Sequence, residues 1–239
     1  MTKKYNRIKT MRKPKSEEFI ETVLKRRVIL DIGGGKPWST GWVHKKYRTI
    51  LEEKTYCVDF MKENKPHIVA DIKRLPFKDN SVDGIICNAV LEHVDKPFQA
   101  MNELHRILSE GGELALYVPW VYPYHSAPCD YFRYTKDGIR SLTDKFSEVL
   151  IAPTDFYGLQ PNRVYYGLSF LIPPIPRLQS LLYRLIGIPI YLLYRVVLYM
   201  ILYIAGNRNL KKLRREVDKF LVDNQTQGYW CLCRKYAYD

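Results

Sequence analysis

The chain has 239 residues, 46% hydrophobic and 13% aromatic, with a formal net charge of +13. That length holds one α/β domain with a sizeable insertion, and the apolar content excludes a disordered chain. Five cysteines, Cys57, Cys87, Cys129, Cys231 and Cys233, are odd in number and irregular in spacing; this excludes a disulfide framework and offers no zinc pattern, so no metal site is expected.

Residues 1–15 read as a basic, polar arm that is expected to be mobile. No apolar run follows it, so it lacks the pattern of a signal peptide and a cytoplasmic setting is expected. Ser16–Arg26 reads as a short helix, with Ser16 as cap and Glu17 and Glu18 in its first turn. Short β-rich runs then follow at Val28–Ile32, Thr55–Asp59, His67–Asp71, Val82–Asn88 and Glu113–Val118. Helical patterns fall between some of them, most clearly Pro97–Ser109, which runs up to Gly111-Gly112. A sixth strand fits Ser147–Phe156 and a seventh Gly228–Tyr236. Strands alternating with helices predict an α/β, doubly wound sheet. The expected division is a core at 16–159, an apolar helical insertion at 160–225 and a last core strand within 226–239. Cys231 and Cys233 alternate along that strand and are expected to share a buried face.

The first strand runs into DIGGGKP, Asp31–Pro37. A glycine-rich turn at that place lets backbone approach a ligand. GGGKP lacks the GK[ST] ending of a phosphate loop, and no register of the glycines gives GxGxxG. Asp59 ends the second strand, where a carboxylate can accept from both ribose hydroxyls. Asp71-Ile72 ends the third and offers an acceptor and an apolar side chain to an adenine. The fourth strand ends at Asn88, beside the switch point of such a sheet.

These stretches, VILDIGGGKP, CVDF, ADIKRLPFKDNSVDGIICNAVLEHV and ELHRILSEGGELALYVP, resemble a class I S-adenosylmethionine (SAM)-dependent methyltransferase of the type 11 group. The resemblance covers Arg27–Phe156 and resumes at Gly228–Tyr236. It implies a seven-strand Rossmann-like sheet and SAM as cofactor. By the same resemblance Asp31, Gly33 and Gly35 shape the methionine end of the pocket, Asp59 holds the ribose, Asp71 and Ile72 the adenine, and Asn88 and Ala89 line the methyl-donor side. Pro37 stands where the usual third glycine of DxGxGxG would be.

The segment Pro119–Thr135, PWVYPYHSAPCDYFRYT, follows the fifth strand, where a loop would hang over the cofactor. His125 and Asp130 are its candidate bases, and Tyr131, Arg133 and Tyr134 its candidate substrate-binding residues. A rigid brace of packed tyrosines is the structural alternative. Similar HxxPxDYxRYT stretches recur in methyltransferases linked with glycan and envelope biosynthesis, which implies O-methylation of a saccharide- or lipid-linked acceptor. The position after the fourth strand reads Asn88-Ala89-Val90-Leu91 and lacks the [DNS]PP[YFW] motif of base-amino methylation, which argues against nucleic acid. A non-catalytic SAM-binding scaffold and a small-molecule or RNA methyltransferase stay open as alternatives.

The run Gly187–Gly206 is long enough to span a bilayer. One crossing is forbidden if Gly228–Tyr236 rejoins the sheet. The one candidate for a second crossing, Val164–Pro176, is short and holds three prolines. At 100° per residue Arg177, Arg184 and Arg195 fall on one line, with Leu182, Ile186, Ile190, Leu193, Val197, Met200 and Ile204 opposite. That pattern predicts a helix lying on an anionic membrane surface, with the basic run Arg208–Arg215 beside it. Packing on the domain or on a homodimer partner is the alternative. The expected setting is cytoplasmic and peripheral to the membrane.

Overall fold

The computed structural model describes residues 7–10, 16–34, 42–122, 124–125, 128–154, 185–186, 188–190, 192–193, 196–197, 200, 212 and 226–236. The chain divides into two compact units, Met1–Asp155 with Gln227–Asp239, and Phe156–Thr226.

In the first unit the elements run β1 (Arg7–Thr10), α1 (Ser16–Val23), β2 (Ile29–Ile32), α2 (Trp42–Lys54), β3 (Thr55–Asp59), β4 (Ile68–Val69), β5 (Val82–Asn88), α3 (Pro97–Ile107), β6 (Leu108–Pro119), α4 (Lys136–Leu142), β7 (Glu148–Pro153) and β8 (Gly228–Arg234). The strands form one sheet in the order β1-β7-β8-β6-β5-β2-β3-β4. Only β8 runs antiparallel to its neighbours, β6 and β7. The seven expected strands are all present. The eighth, β1, falls within the arm expected to be mobile. It pairs in parallel with β7, from Arg7 opposite Glu148 to Thr10 opposite Ile151. The reason is the open side of β7, which would otherwise present unpaired backbone groups as a sheet edge.

The central strands are buried on both faces, as parallel strands between helix layers must be. All four residues of β2 are buried, and so are the first six of β8. Alternation divides β8 between two cores. Tyr229, Cys231 and Cys233 join the cluster that contains Met101, Leu104 and Ile139. Trp230 and Leu232 join the cluster of Phe19, Ile20, Val23 and Leu51. The shared face of Cys231 and Cys233 is thus as expected, and both thiols are free and buried.

The helix α3 places Ala100, Met101, Leu104 and Ile107 on its buried side, at the spacing of one helical face. It stops before the glycine pair, because Leu108 is already extended (φ −68°, ψ 130°) and starts β6. The Lys235 ammonium caps this end, donating to the carbonyls of His105 and Leu108 at 2.8 Å each. Thr135 caps α4 by accepting from the Gly138 amide at 3.0 Å. Midway along β6 the buried Glu113 accepts from Arg26 (3.0 Å) and Arg234 (2.7 Å). That ties the turn after α1 to β6 and β8 with charge-assisted bonds.

In the second unit the described residues of 188–200 are helical. Ile186, Ile190, Leu193, Val197 and Met200, the described members of the expected apolar face, are all exposed. Arg177, Arg184 and Arg195 lie outside the described residues. Among the described residues no helix is long and apolar enough to cross a membrane.

Candidate functional site

The strand order reverses direction at β2, with β3 on one side and β5 on the other. Ligands of such sheets sit at the carboxyl ends of the strands flanking that point. A cavity of about 870 Å³ opens there. Its wall includes Gly33, Asp59, Asp71, Ile72, Asn88 and Ala89, so the fold brings together six residues predicted from separate strand ends.

Each is placed by its own strand end. Gly33 follows β2 with φ +68°, and its amide donates to the Val58 carbonyl at 2.7 Å. A Cβ there would lie 2.5 Å from Val90 Cγ2, so only glycine fits both the backbone and the space. A Cβ on Gly34 would meet Asp31 Oδ2 at 2.6 Å. Asp31 itself is buried, off the cavity wall and under the turn. Gly35 lies outside the described residues. Ala89 is held at φ +55°, a conformation uncommon for a residue with a Cβ and often found at functional sites. Its amide donates to the Tyr117 carbonyl at 3.2 Å, which fixes the turn leaving β5.

Asp59 accepts from the Met61 amide at 2.7 Å and from Asn64 Nδ2 at 3.2 Å. Phe60, Met61 and Asn64 extend the same wall. The sequence reading did not single them out, although Phe60 and Met61 directly follow the predicted strand. Asp71 accepts from the Lys73 amide at 2.9 Å. Lys73 Nζ lies 2.7 Å from Asp95 and 3.6 Å from Asp71, pinning the wall beside Ile72. The Asp95 partner raises the Lys73 pKa above the usual lysine value. Asp95 comes from the turn before α3, so sequence distance hid this pair.

The opposite part of the wall comes from the segments after β5 and β6, including His93, His125, Pro128, Cys129 and Tyr131. His125 is 38% exposed at its side chain and stands edge-on to His93 and Tyr122, with ring centroids 5.0 Å apart in each pair. Asp130, the other candidate base, is not on the wall. Its carboxylate is buried and accepts from Arg133 Nη1 and, at 2.6 Å, from Nη2. It also accepts from the His125 amide at 2.8 Å. The guanidinium holds the Asp130 carboxyl well below the usual carboxylate range, so this group is a weak base. It positions His125 instead.

The expected substrate-binding trio also divides. Tyr131 lies on the wall. Arg133 is turned to Asp130 and to the carbonyls of Tyr122 (3.1 Å) and Phe132 (2.8 Å). Tyr134 is a core residue whose hydroxyl donates to the Leu91 carbonyl at 2.8 Å, and burial pushes its phenol upward. These two side chains are used within the protein to fold the segment back onto β6 and the turn Leu91–His93.

That turn holds a residue the sequence reading passed over. Glu92 is 1% exposed, and burial pushes its carboxyl up to about 7. Its carbonyl accepts from the Tyr131 amide at 2.7 Å. Glu92, His93 and His125 place ligand-type atoms all within 4.8 Å of one another. No local spacing announces this group, because 32 positions separate His93 from His125.

The cavity fits the expected cofactor on structural grounds: a glycine turn that a Cβ would obstruct, a carboxylate at the end of β3, and an acid beside an apolar side chain at Asp71-Ile72. Residues 30–116 match a methyltransferase domain. Among curated relatives, an uncharacterised protein of Methanocaldococcus jannaschii is 48% identical over 58 residues, 24% of either chain. The ubiquinone/menaquinone biosynthesis C-methyltransferase UbiE of Ruegeria is 27% identical over 100 residues, 42% of this chain and 32% of the relative. A protein of a Streptomyces fradiae transposon is 31% identical over 49% of this chain and 33% of the relative. The matched stretches thus span a third or less of these relatives. The crystal structure of a SAM-dependent methyltransferase from Archaeoglobus fulgidus superposes with TM-score 0.53 at 14% identity, covering 91% of this chain and 90% of that one. The chain therefore carries the fold of the class I SAM-dependent methyltransferases, and its residues 30–116 match a methyltransferase domain.

Proposed function

We propose that this protein transfers the methyl group of SAM to an oxygen of a saccharide- or lipid-linked acceptor at the cytoplasmic face of a membrane. The observation that carries the methyltransferase reading is the cavity itself, where residues from β2, β3 and β5 meet His93, His125 and Tyr131 across one space. Gly33 would flank the methionine end, Asn88 and Ala89 the methyl-donor side, Asp59 the ribose, and Asp71 and Ile72 the adenine. Bound there, SAM supplies an electrophilic methyl on its sulfonium, whose S–C electron pair stays on sulfur as the O–C bond forms. The protein's own task is to hold the acceptor oxygen in line and exclude water. His125 is the candidate that faces this space, and Tyr131 can donate a hydrogen bond to a polar acceptor.

The membrane part of the reading is supported by the exposed apolar residues of the helical stretch, Ile190, Leu193, Val197 and Met200 among them. Large exposed apolar surface on a helix marks a binding face. The arginines that the sequence periodicity sets opposite, and the basic run Arg208–Arg215, suit an anionic leaflet. Labelled-methyl transfer from SAM into separate membrane and soluble extracts tests the whole reading. The expected result is a labelled, organic-extractable or glycan-bearing product from membranes. Label in RNA, or in small soluble molecules alone, would move the acceptor elsewhere.

A further inference from the structure

Glu92 sits behind the cavity wall with one carboxyl oxygen that no described residue satisfies. Its Oε2 is buried and has no hydrogen-bond partner. Its Oε1 lies 3.9 Å from His93 Nε2, beyond hydrogen-bond length. A carboxyl left so is costly whether ionised or protonated, since neither form gains a donor or an acceptor at Oε2.

The His93 imidazole is oriented from outside. His93 Nδ1 lies 2.5 Å from the Cys129 carbonyl. A carbonyl only accepts, so Nδ1 carries the hydrogen and the neutral ring presents the lone pair of Nε2 towards Glu92. His125 is anchored through its backbone amide, which donates to Asp130 Oδ2 at 2.8 Å, and its Nδ1 lies 3.5 Å from the same oxygen, longer than a hydrogen bond. An outer carbonyl that takes the far N–H of an imidazole, as Cys129 does for His93, is how proteins aim a histidine at a metal.

We propose that Glu92, His93 and His125 form a site for one divalent transition cation of the zinc class, opening to the cavity through the two histidines. Two imidazoles and a carboxylate suit such an ion and leave further coordination positions open. The donor atoms lie within 4.8 Å of one another. Bonds of about 2.0–2.2 Å ask them to close by roughly 1 Å, which rotation of the part-exposed His125 can supply. The ion would satisfy the buried Glu92 oxygen and present an open position to the acceptor. Its role rests on the methyl-transfer reading: it polarises the acceptor hydroxyl, whose proton leaves to water while the oxygen pair forms the O–CH₃ bond.

The test is metal binding, read apart from turnover. Full-length protein stripped with a chelator is titrated with Co²⁺ followed by visible absorption, and then with Zn²⁺ in competition. One equivalent of Co²⁺ with ligand-field bands, displaced by Zn²⁺, is expected. Glu92→Gln and His125→Gln should each weaken it at least about tenfold, with unchanged circular dichroism. His125→Gln serves if the buried Glu92 variant fails to fold. Absence of Co²⁺ bands, or equal binding by wild type and both variants, overturns the proposal. SAM calorimetry on the same samples separates the two readings, since SAM binding without cobalt binding sinks only the metal site.

Discussion

Asp130 and Arg133 form a two-pronged ion pair inside the segment after β6, three residues apart and with the Asp130 side chain 2% exposed. The same carboxylate receives the His125 amide. One acid thereby sets both the path of the segment and the place of the histidine on the cavity wall. Asp130→Asn should cost about 1–3 kcal/mol of stability, the range for hydrogen bonds to charged groups, measured by urea denaturation. The native pKa of Asp130 is depressed, so its contribution is complete above the unfolded value of about 3.9 and is lost as pH falls through the native value. The stability gap between wild type and Asp130→Asn should therefore be flat from about pH 5 upward and narrow below about pH 4. A gap that instead narrows between pH 5 and 8 would contradict the pairing.

Asp59 ends β3 on the cavity wall, with its oxygens already shared with Met61 and Asn64. Asp59→Ala should weaken SAM binding by about 1–3 kcal/mol, measured by calorimetry. NAD binding in place of SAM would overturn the cofactor assignment.

His125 lines the cavity and Tyr134 does not. His125→Ala should lower methyl transfer by at least about tenfold and leave SAM affinity nearly intact. Tyr134→Phe removes only the bond to the Leu91 carbonyl. It should cost about 1 kcal/mol of stability and leave the acceptor KM unchanged. A raised KM with intact stability would return Tyr134 to the substrate.

Gly33 combines φ +68° with a Cβ position 2.5 Å from Val90. Gly33→Ala should destabilise by about 1–3 kcal/mol from backbone strain and crowding together. Adding Val90→Ala should recover the crowding part only. Full recovery in the double variant would show that the backbone is not strained.

Leu193 and Val197 are exposed, so glutamate at both should leave the fold and SAM binding intact. Wild type should float with anionic liposomes, less so as salt rises, and the double variant should not. If wild type never floats and the double variant breaks a dimer, the face belongs to a protein interface.

The sequence by itself determined the sheet and the strand-end residues. Parallel strands covered by helices need short, continuous apolar runs, and the residue ending each run must fall at the ligand edge; Gly33, Asp59, Asp71 and Asn88 are readable for that reason. Local chemistry could not foretell β1, because Arg7–Thr10 is a strand only where β7 offers it an edge. It could not divide the HSAPCDYFRYT segment either. Asp130, Arg133 and Tyr134 look as reactive as His125 in one dimension. Tertiary structure alone decided that the first two bind each other, that Tyr134 faces the core, and that His125 meets Glu92 and His93. Burial and pairing set what a polar group is free to do, and both depend on neighbours distant along the chain.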